Sequence, residues 1–179
     1  MSDDKRITIL KGAEEAFSRY GFAKTSMADV ADLAGVSRPA LYEHFKNKSD
    51  LFHSLSHWLC EVALASAVAA WPERKSFSDG LADAVIAREL YFFRLCHGAP
   101  HGAELMAHGA ELTEDIHEEM EAAFVALVVK RLKRRGQAAN TLALTIVRAM
   151  EGVKNGATSE PELISSVQQL AALFGAALS

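Results

Sequence analysis

Residues 25–45, TSMADVADLAGVSRPALYEHF, have the pattern of two short helices joined by a tight turn. The apolar residues of the first helix recur at intervals of three and four: Met27, Val30, Ala31 and Ala34. Ser26 is suited to cap this helix at its start, and Gly35 can adopt the left-handed conformation that ends it. The stretch therefore predicts a helix, a turn and a second helix that starts after Ser37.

The second predicted helix has an outer face suited to DNA. Ser37 can cap it, and Leu41 and Phe45 point together toward a core. The residues expected on or beside the outer face are Arg38, Pro39, Ala40, Tyr42, Glu43 and His44. A short helix of this kind can dock in the major groove. The same spacing also fits an ordinary helical hairpin with a solvated face, so periodicity alone leaves both interpretations open.

The stretch and its surroundings resemble the helix-turn-helix of the tetracycline-repressor (TetR/AcrR) family of bacterial transcriptional regulators. The match keeps its register over the first third of the chain. The matching residues are Ala16-Phe17, Gly21-Phe22, Thr25-Ser26-Met27, Val30-Ala31, Ala34-Gly35-Val36-Ser37, Leu41-Tyr42, His44-Phe45, Lys48 and Leu51. A match at this many positions is far more specific than a generic helix-turn-helix pattern.

The resemblance implies an all-α fold. A first helix, which Asp3-Asp4 can cap and which is predicted to run to about Tyr20, would complete an N-terminal three-helix DNA-binding unit. A long helix, predicted over residues 48–71, would join this unit to a larger C-terminal helical domain. We therefore expect a DNA-binding domain at residues 1–48 and an effector-binding and dimerisation domain at residues 49–179. The implied function is that of a transcriptional regulator, a repressor that a small-molecule ligand releases from double-stranded operator DNA.

The matched positions and the chemistry of the side chains together assign roles at the DNA. Pro39, Ala40 and Glu43 would face the bases, where Ala40 can touch a thymine methyl and Glu43 can accept from cytosine N4. The residues expected to hold phosphates are Thr25, Ser26, Ser37, Arg38, Tyr42, His44 and Lys48. Pro39-Ala40 stands where the family often has a glycine and a small polar residue, which leaves the operator sequence open.

The resemblance also implies a cavity for an unknown small-molecule effector. The candidate lining residues are Trp58, Val62, Val85, Phe92, Phe93, Met106, Met120 and Phe124, with His97, His101 or His108 as polar groups. Each apolar candidate also fits an ordinary core position. The ligand itself cannot be inferred from these residues.

The last two predicted helices are apolar on more than one face, which requires a partner surface. The resemblance implies that they pair with their copies in a homodimer. The expected interface residues are Leu142, Ile146, Met150, Val167, Leu170 and Phe174.

The charge distribution separates the two halves of the chain. Residues 1–60 contain eight Lys/Arg and eight Asp/Glu, so the whole net charge of −4 lies in the remainder. DNA affinity depends on local basic groups, so an acidic total does not exclude DNA binding. The start, MSDDKR, lacks the apolar run of a signal peptide, and no apolar run is long enough to span a membrane. Two cysteines, Cys60 and Cys96, suit a reducing compartment, and we expect a cytoplasmic protein with no membrane partner.

Other chemistries have weaker support in the sequence. His97 and His101 are four residues apart, but Gly98 and Pro100 interrupt the helix that would align them. No phosphate-loop or zinc-protease signature occurs, so we expect no metal site, no cofactor and no catalytic residue. A small helical enzyme would need a reactive cluster, and no spacing singles one out. The open alternative is a helical protein–protein interaction module of the same fold that does not bind operator DNA.

Overall fold

A computed structural model shows that the chain is all-α, as the sequence predicts. The structure describes residues 2–105, 107, 113–132 and 136–178, with backbone only at residues 2 and 3. The helices are α1 (Ser2–Tyr20), α2 (Met27–Ala34), α3 (Arg38–His44), α4 (Lys48–Ala70), α5 (Phe77–Gly98), a short α6 (102–105), α7 (Glu114–Arg131), α8 (Gln137–Gly156) and α9 (Glu160–Leu178). The predicted end of the first helix at Tyr20 and the predicted start of the long helix at Lys48 match the structure, and α4 ends one residue before its predicted end. However, α1 begins at Ser2, so the predicted caps Asp3 and Asp4 lie within the helix. None of the described helices is long and apolar enough to cross a membrane.

Local hydrogen bonds set the ends of α2 and α3. The Ser26 hydroxyl accepts from the Asp29 amide at 3.2 Å, and the Asp29 carboxylate accepts from the Ser26 amide at 2.8 Å. This reciprocal pair is a capping box. Gly35 ends α2 with φ of 64°, and Ser37 accepts from the Ala40 amide at the start of α3. All three predicted caps are confirmed.

The described residues form two compact units. The first contains Met1–Cys60 and Arg94–Ile116, and the second contains Glu61–Phe93 and His117–Ser179. Each unit has its own apolar core. The functional division at residue 48 stays a prediction, since compactness alone does not assign a function to either part.

The first unit holds α1 against α2 at very short range. A Cβ atom added to Gly12 would lie 2.7 Å from the Cβ of Ala34 and 2.8 Å from its amide nitrogen. Only glycine allows this backbone approach. The core behind the two helices is aromatic and aliphatic: Ile9, Leu10, Phe17, Val30, Leu41, Phe45, Leu51, Phe52 and Leu55 are buried. The close crossing fixes α2, and with it the turn that leads into α3.

The second unit packs α5, α7, α8 and α9 around Trp71 and the buried residues that share its core. Gly80 lies directly under the Trp71 indole, which leaves no room for a side chain at that position. A group of charges also lies in this unit. The Glu89 carboxylate contacts Arg88 at 3.2 Å and Lys154 at 3.3 Å, and Arg88 covers the Phe124 ring. This ion network joins α5 to α7 and α8.

Candidate nucleic-acid interface

The exposed face of α3 is the centre of the candidate interface. Leu41 and Phe45 are buried and anchor the helix. The side chains left exposed on α3 and just beyond its end are Arg38, Pro39, Tyr42, Glu43 and Lys46. This arrangement offers a guanidinium, a phenol, a carboxylate and an ammonium to a partner while the helix itself stays fixed to the core.

One residue expected to face the bases does not. Ala40 is only 8% exposed, so it is not placed to touch a thymine methyl. The physical reason is its position four residues before His44, which is itself half-buried. Residues four apart lie on the same side of a helix, and on α3 this side is partly covered by the rest of the unit.

Thr25 was expected to hold a phosphate, but its hydroxyl is used inside the protein. It donates to the carbonyl oxygen of Gly21 at 2.7 Å and lies 3.2 Å from that of Ala16. The residue is 2% exposed. The Thr25 side chain therefore fixes the chain between α1 and α2 and is not available to DNA.

Lys48 was also expected to bind a phosphate, but its ammonium is used inside the protein. Its ammonium donates to the carbonyl oxygens of Phe22 at 2.7 Å, Ala23 at 3.2 Å and Thr25 at 3.0 Å. A lysine ammonium has three protons, and here each has an acceptor within the chain. The ammonium also lies 4.6 Å from the centre of the Phe22 ring. Lys48 consequently binds the protein backbone in this structure.

Three further cations, outside the predicted set of DNA ligands, lie on or beside the helix-turn-helix. Lys24 and Lys46 are exposed, just before α2 and just after α3. The Arg6 guanidinium lies 5.2 Å from the centre of the Phe45 ring, at the residue that ends α3. The sequence held a signal for Lys46, because it directly follows the matched pair His44-Phe45 at the end of α3. It held none for Arg6, which lies far from α3 in sequence.

The interface carries both signs of charge. Hydrogen bonds from Ser26 lower the pKa of Asp29, and the bond from its hydroxyl has a larger effect than the bond from its amide. The charge of Arg38 lowers this pKa further, by a smaller amount. The Asp29 carboxylate is therefore ionised at neutral pH, near the guanidinium of Arg38. Glu43 places a second carboxylate on the exposed face of α3. Attraction to a phosphate backbone must come from the neighbouring cations, not from a uniformly basic surface.

The predicted effector-binding residues fall into different environments. Trp58 packs against the core of the first unit, whereas Val85, Phe93 and Phe124 belong to or pack against the core of the second. Met120 is buried, Phe92 is half-buried, and Val62 is exposed. His97 is exposed, and the His101 ring lies 2.9 Å from the Glu104 carboxylate within the first unit. Met106 and His108 lie outside the described residues.

The second unit has a surface cleft of about 440 Å³ between α7 and α8. It is lined by Glu118, Glu121, Ala122, Val125, Asn140, Thr141 and Leu144. None of the predicted effector-binding residues lines this cleft.

The predicted dimer residues also divide into two groups. Ile146, Met150 and Val167 are buried in the core of the second unit, so they have no surface left for a partner chain. Leu142, Leu170 and Phe174 are half-exposed. Leu173 was missed, although it is 67% exposed on α9. Its sequence signal was the apolar character of α9 on more than one face.

The part of the chain that carries the candidate interface is similar to known regulatory proteins. A sequence profile described as "Bacterial regulatory proteins, tetR family" matches residues 9–55. The transcriptional regulator TtgR of Pseudomonas putida is 44% identical over 61 residues, which cover 34% of this chain and 29% of TtgR. That match thus spans less than a third of the relative. The uncharacterized HTH-type transcriptional regulator YhgD of Bacillus subtilis is 25% identical over 173 residues, or 93% of this chain and 80% of YhgD.

The fold is also similar to solved structures. The TetR family repressor AlkX from Dietzia aligns with a TM-score of 0.66 at 18% identity, over 97% of both chains. That likeness covers the helices of both compact units, whereas the profile match is confined to α1–α3 and the start of α4. Residues 9–55, which contain the helix-turn-helix, are thus similar to the tetR family of bacterial regulatory proteins, and the all-α fold around them is similar to that of a TetR family repressor.

Proposed function

We propose that the protein is a DNA-binding transcriptional repressor that a small-molecule effector releases from its operator. The observation that carries this proposal is the exposed face of α3, in which Arg38, Tyr42 and Glu43 stand on a helix anchored by Leu41 and Phe45. The transcriptional regulators TtgR and YhgD and the repressor AlkX support it as relatives. The similarity to these proteins does not support the alternative of an interaction module that does not bind operator DNA. It does not support an enzyme either.

In this proposal α3 enters the major groove. Glu43 and Pro39 face the bases, and Glu43 accepts a hydrogen bond from cytosine N4. The residues that we assign to phosphates are Ser26, Ser37, Arg38, Tyr42 and His44. To these we add the exposed cations Lys24 and Lys46. Phosphate ligands fix the register of a protein on the duplex, whereas Glu43 supplies sequence preference.

A homodimer would bring two copies of α3 to two half-sites. Half-sites separated by one turn of DNA require recognition helices about 34–36 Å apart. We assign the partner contact to α8 and α9, through Leu142, Leu170, Leu173 and Phe174, whose side chains keep exposed surface in the single chain. Two modules that bind together also compensate for the modest number of cations on each face.

Release by an effector needs a difference in affinity between DNA-bound and released conformations. A hundredfold loss of DNA affinity corresponds to about 2.7 kcal/mol of such coupling. By reciprocity, operator DNA must weaken effector binding by the same factor. We assign the effector to the second unit, whose core contains the aromatic candidates Phe93 and Phe124.

The test is a binding titration with duplexes from the region upstream of the protein's own gene and its neighbours. We expect one duplex to bind with a clear preference over a shuffled duplex of equal length, and footprinting to show two symmetric half-sites. Affinity should fall steeply with salt, as phosphate contacts require. Equal affinity for native and shuffled duplexes at physiological ionic strength would contradict operator binding.

A further inference from the structure

Lys48 occupies a position that is electrostatically unfavourable for a lysine. It is the first residue of α4, and the N-terminus of a helix carries a partial positive charge that repels cations. Acidic residues are the ones that stabilise such positions. The ammonium charge must therefore be stabilised by other groups. The groups that stabilise it indicate the role of Lys48.

The compensation comes from three backbone carbonyls in the segment between α1 and α2. Phe22, Ala23 and Thr25 direct their oxygens at the Lys48 ammonium, at 2.7, 3.2 and 3.0 Å. These residues lie 23 to 26 positions earlier in the chain. The bonds are charge-assisted, which makes them stronger than bonds between neutral groups. They connect the start of α4 to residues 22–25, which are not helical.

The segment that Lys48 binds is also held by other contacts. Gly21 ends α1 with φ of 78°, and the Thr25 hydroxyl returns to the carbonyls of Ala16 and Gly21. The Phe22 ring packs between Phe17, at 5.5 Å, and Phe52 of α4, at 5.1 Å. Residues 22–25 are thus held by α1 on one side and by α4 on the other. One residue after them, Ser26 caps α2.

We propose that Lys48 is a positioning residue that makes the start of α4 and the α2–α3 pair move as one body. This inference rests on the proposed function, because it concerns how α3 is oriented at DNA. When α4 shifts, the three carbonyls must follow the ammonium or lose their bonds. A displacement of α4 would then pass directly to α2 and α3. Lys48 would act through the backbone and would touch no phosphate.

Two substitutions separate this role from that of a phosphate ligand. Lys48→Met keeps the apolar stem and removes the charge, whereas Lys48→Arg keeps the charge in a planar group that does not fit three converging carbonyls. A positioning role predicts that both variants lose affinity for the two-half-site duplex, by about tenfold, or about 1.4 kcal/mol. The slope of affinity against salt should stay at the wild-type value in both. A phosphate ligand predicts the opposite pattern, with Lys48→Arg active and a slope lower by about 0.9 in Lys48→Met.

A duplex with a single half-site separates positioning from simple destabilisation. If Lys48 sets orientation, the variants lose affinity for two linked half-sites but bind one half-site almost as the wild type does. Equal losses on both duplexes, together with a lower Tm, would overturn the proposal in favour of a purely structural role. Wild-type behaviour of both variants would overturn it as well. Lys46→Met is the matched control. It removes an exposed ammonium, and the loss of that charge should reduce the slope of affinity against salt.

Amide hydrogen exchange keeps this test independent of DNA binding. In the free protein, Lys48→Met should speed exchange at residues 22–26 and leave α8 unchanged. If wild-type protein bound no duplex specifically, the proposed function would fail while the exchange data still reported on the connection. Unchanged exchange at residues 22–26 would overturn the connection itself.

Discussion

Glu89 on α5 and Lys154 on α8 form an ion pair at 3.3 Å in which the carboxylate side chain is only 8% exposed. Arg88 contacts the same carboxylate at 3.2 Å and covers the ring of Phe124. One buried negative group thus offsets two cations inside the second unit. Buried charges tolerate the loss of a partner poorly, because the remaining charge cannot recover its hydration.

Glu89→Ala should therefore destabilise the second unit by about 3 kcal/mol, measured by denaturant unfolding. The double variant Glu89→Ala/Lys154→Met should recover part of that loss, because it removes one of the two cations left without a carboxylate. The two single substitutions provide the other corners of the cycle. Strict additivity of the single and double effects would contradict a coupled ion network.

Gly12→Ala should destabilise the first unit by about 1–3 kcal/mol through overpacking. The added methyl would meet both the side chain and the backbone of Ala34, and the backbone cannot move aside without disturbing α2. Gly152→Ala is the matched control in a helix, since a Cβ there has open space. The control should gain about 0.5–1 kcal/mol from helix propensity. Thermal unfolding of both variants checks the opposite signs.

The capping box of α2 should make stability sensitive to acid. Bonds from the Ser26 hydroxyl and amide lower the pKa of Asp29, so its contribution is present at neutral pH and is lost as pH falls below the ordinary carboxylate range and through the depressed pKa. Asp29→Asn should lower Tm at pH 7 and show a smaller further fall between pH 6 and pH 3 than the wild type. Asp32→Asn, an exposed carboxylate on the same helix, is the control. Parallel curves for wild type and Asp29→Asn would contradict this linkage.

Arg38 and Glu43 should have separable effects on DNA binding. Arg38→Ala removes a phosphate contact, so affinity should fall on every sequence and the salt slope should drop by about 0.9. Glu43→Ala should instead relax base preference at one position of each half-site, by about 1–3 kcal/mol. Lys130→Ala, which removes an exposed cation of the second unit, controls for net charge. Competition titrations with single-base variants of the bound duplex measure both effects.

Leu173→Glu should dissociate the proposed homodimer without unfolding the chain. The side chain is exposed in the single chain, so a carboxylate there stays hydrated until a partner covers it. Val68→Glu is the matched control, because Val68 is an exposed apolar residue on α4 outside the proposed interface. Sedimentation at about micromolar concentration should show the wild type and Val68→Glu as dimers and Leu173→Glu as a monomer. A dimeric Leu173→Glu protein would place the interface elsewhere.

Local sequence patterns are enough to predict the helices and the caps of the helix-turn-helix. Ser26, Gly35 and Ser37 act through bonds to residues three or four positions away, so their roles follow from local spacing. The burial of Leu41 and Phe45 follows from helical period in the same way. These local rules, together with the matched positions, were sufficient to predict the all-α class, the similarity to the tetR family and the outer face of α3 apart from Ala40.

Packing between distant parts of the chain sets which polar groups are free for a partner and which are used inside the chain. Thr25 and Lys48 looked like phosphate ligands, but their hydrogen bonds reach residues up to 26 positions away. It also decided that Ile146 and Val167 fill the chain's own core while Leu173 remains exposed. A sequence pattern shows that a helix face is apolar, but only packing shows which neighbour covers it. For the same reason a lysine is a candidate DNA ligand only if its ammonium is not already bonded to carbonyl oxygens of its own chain.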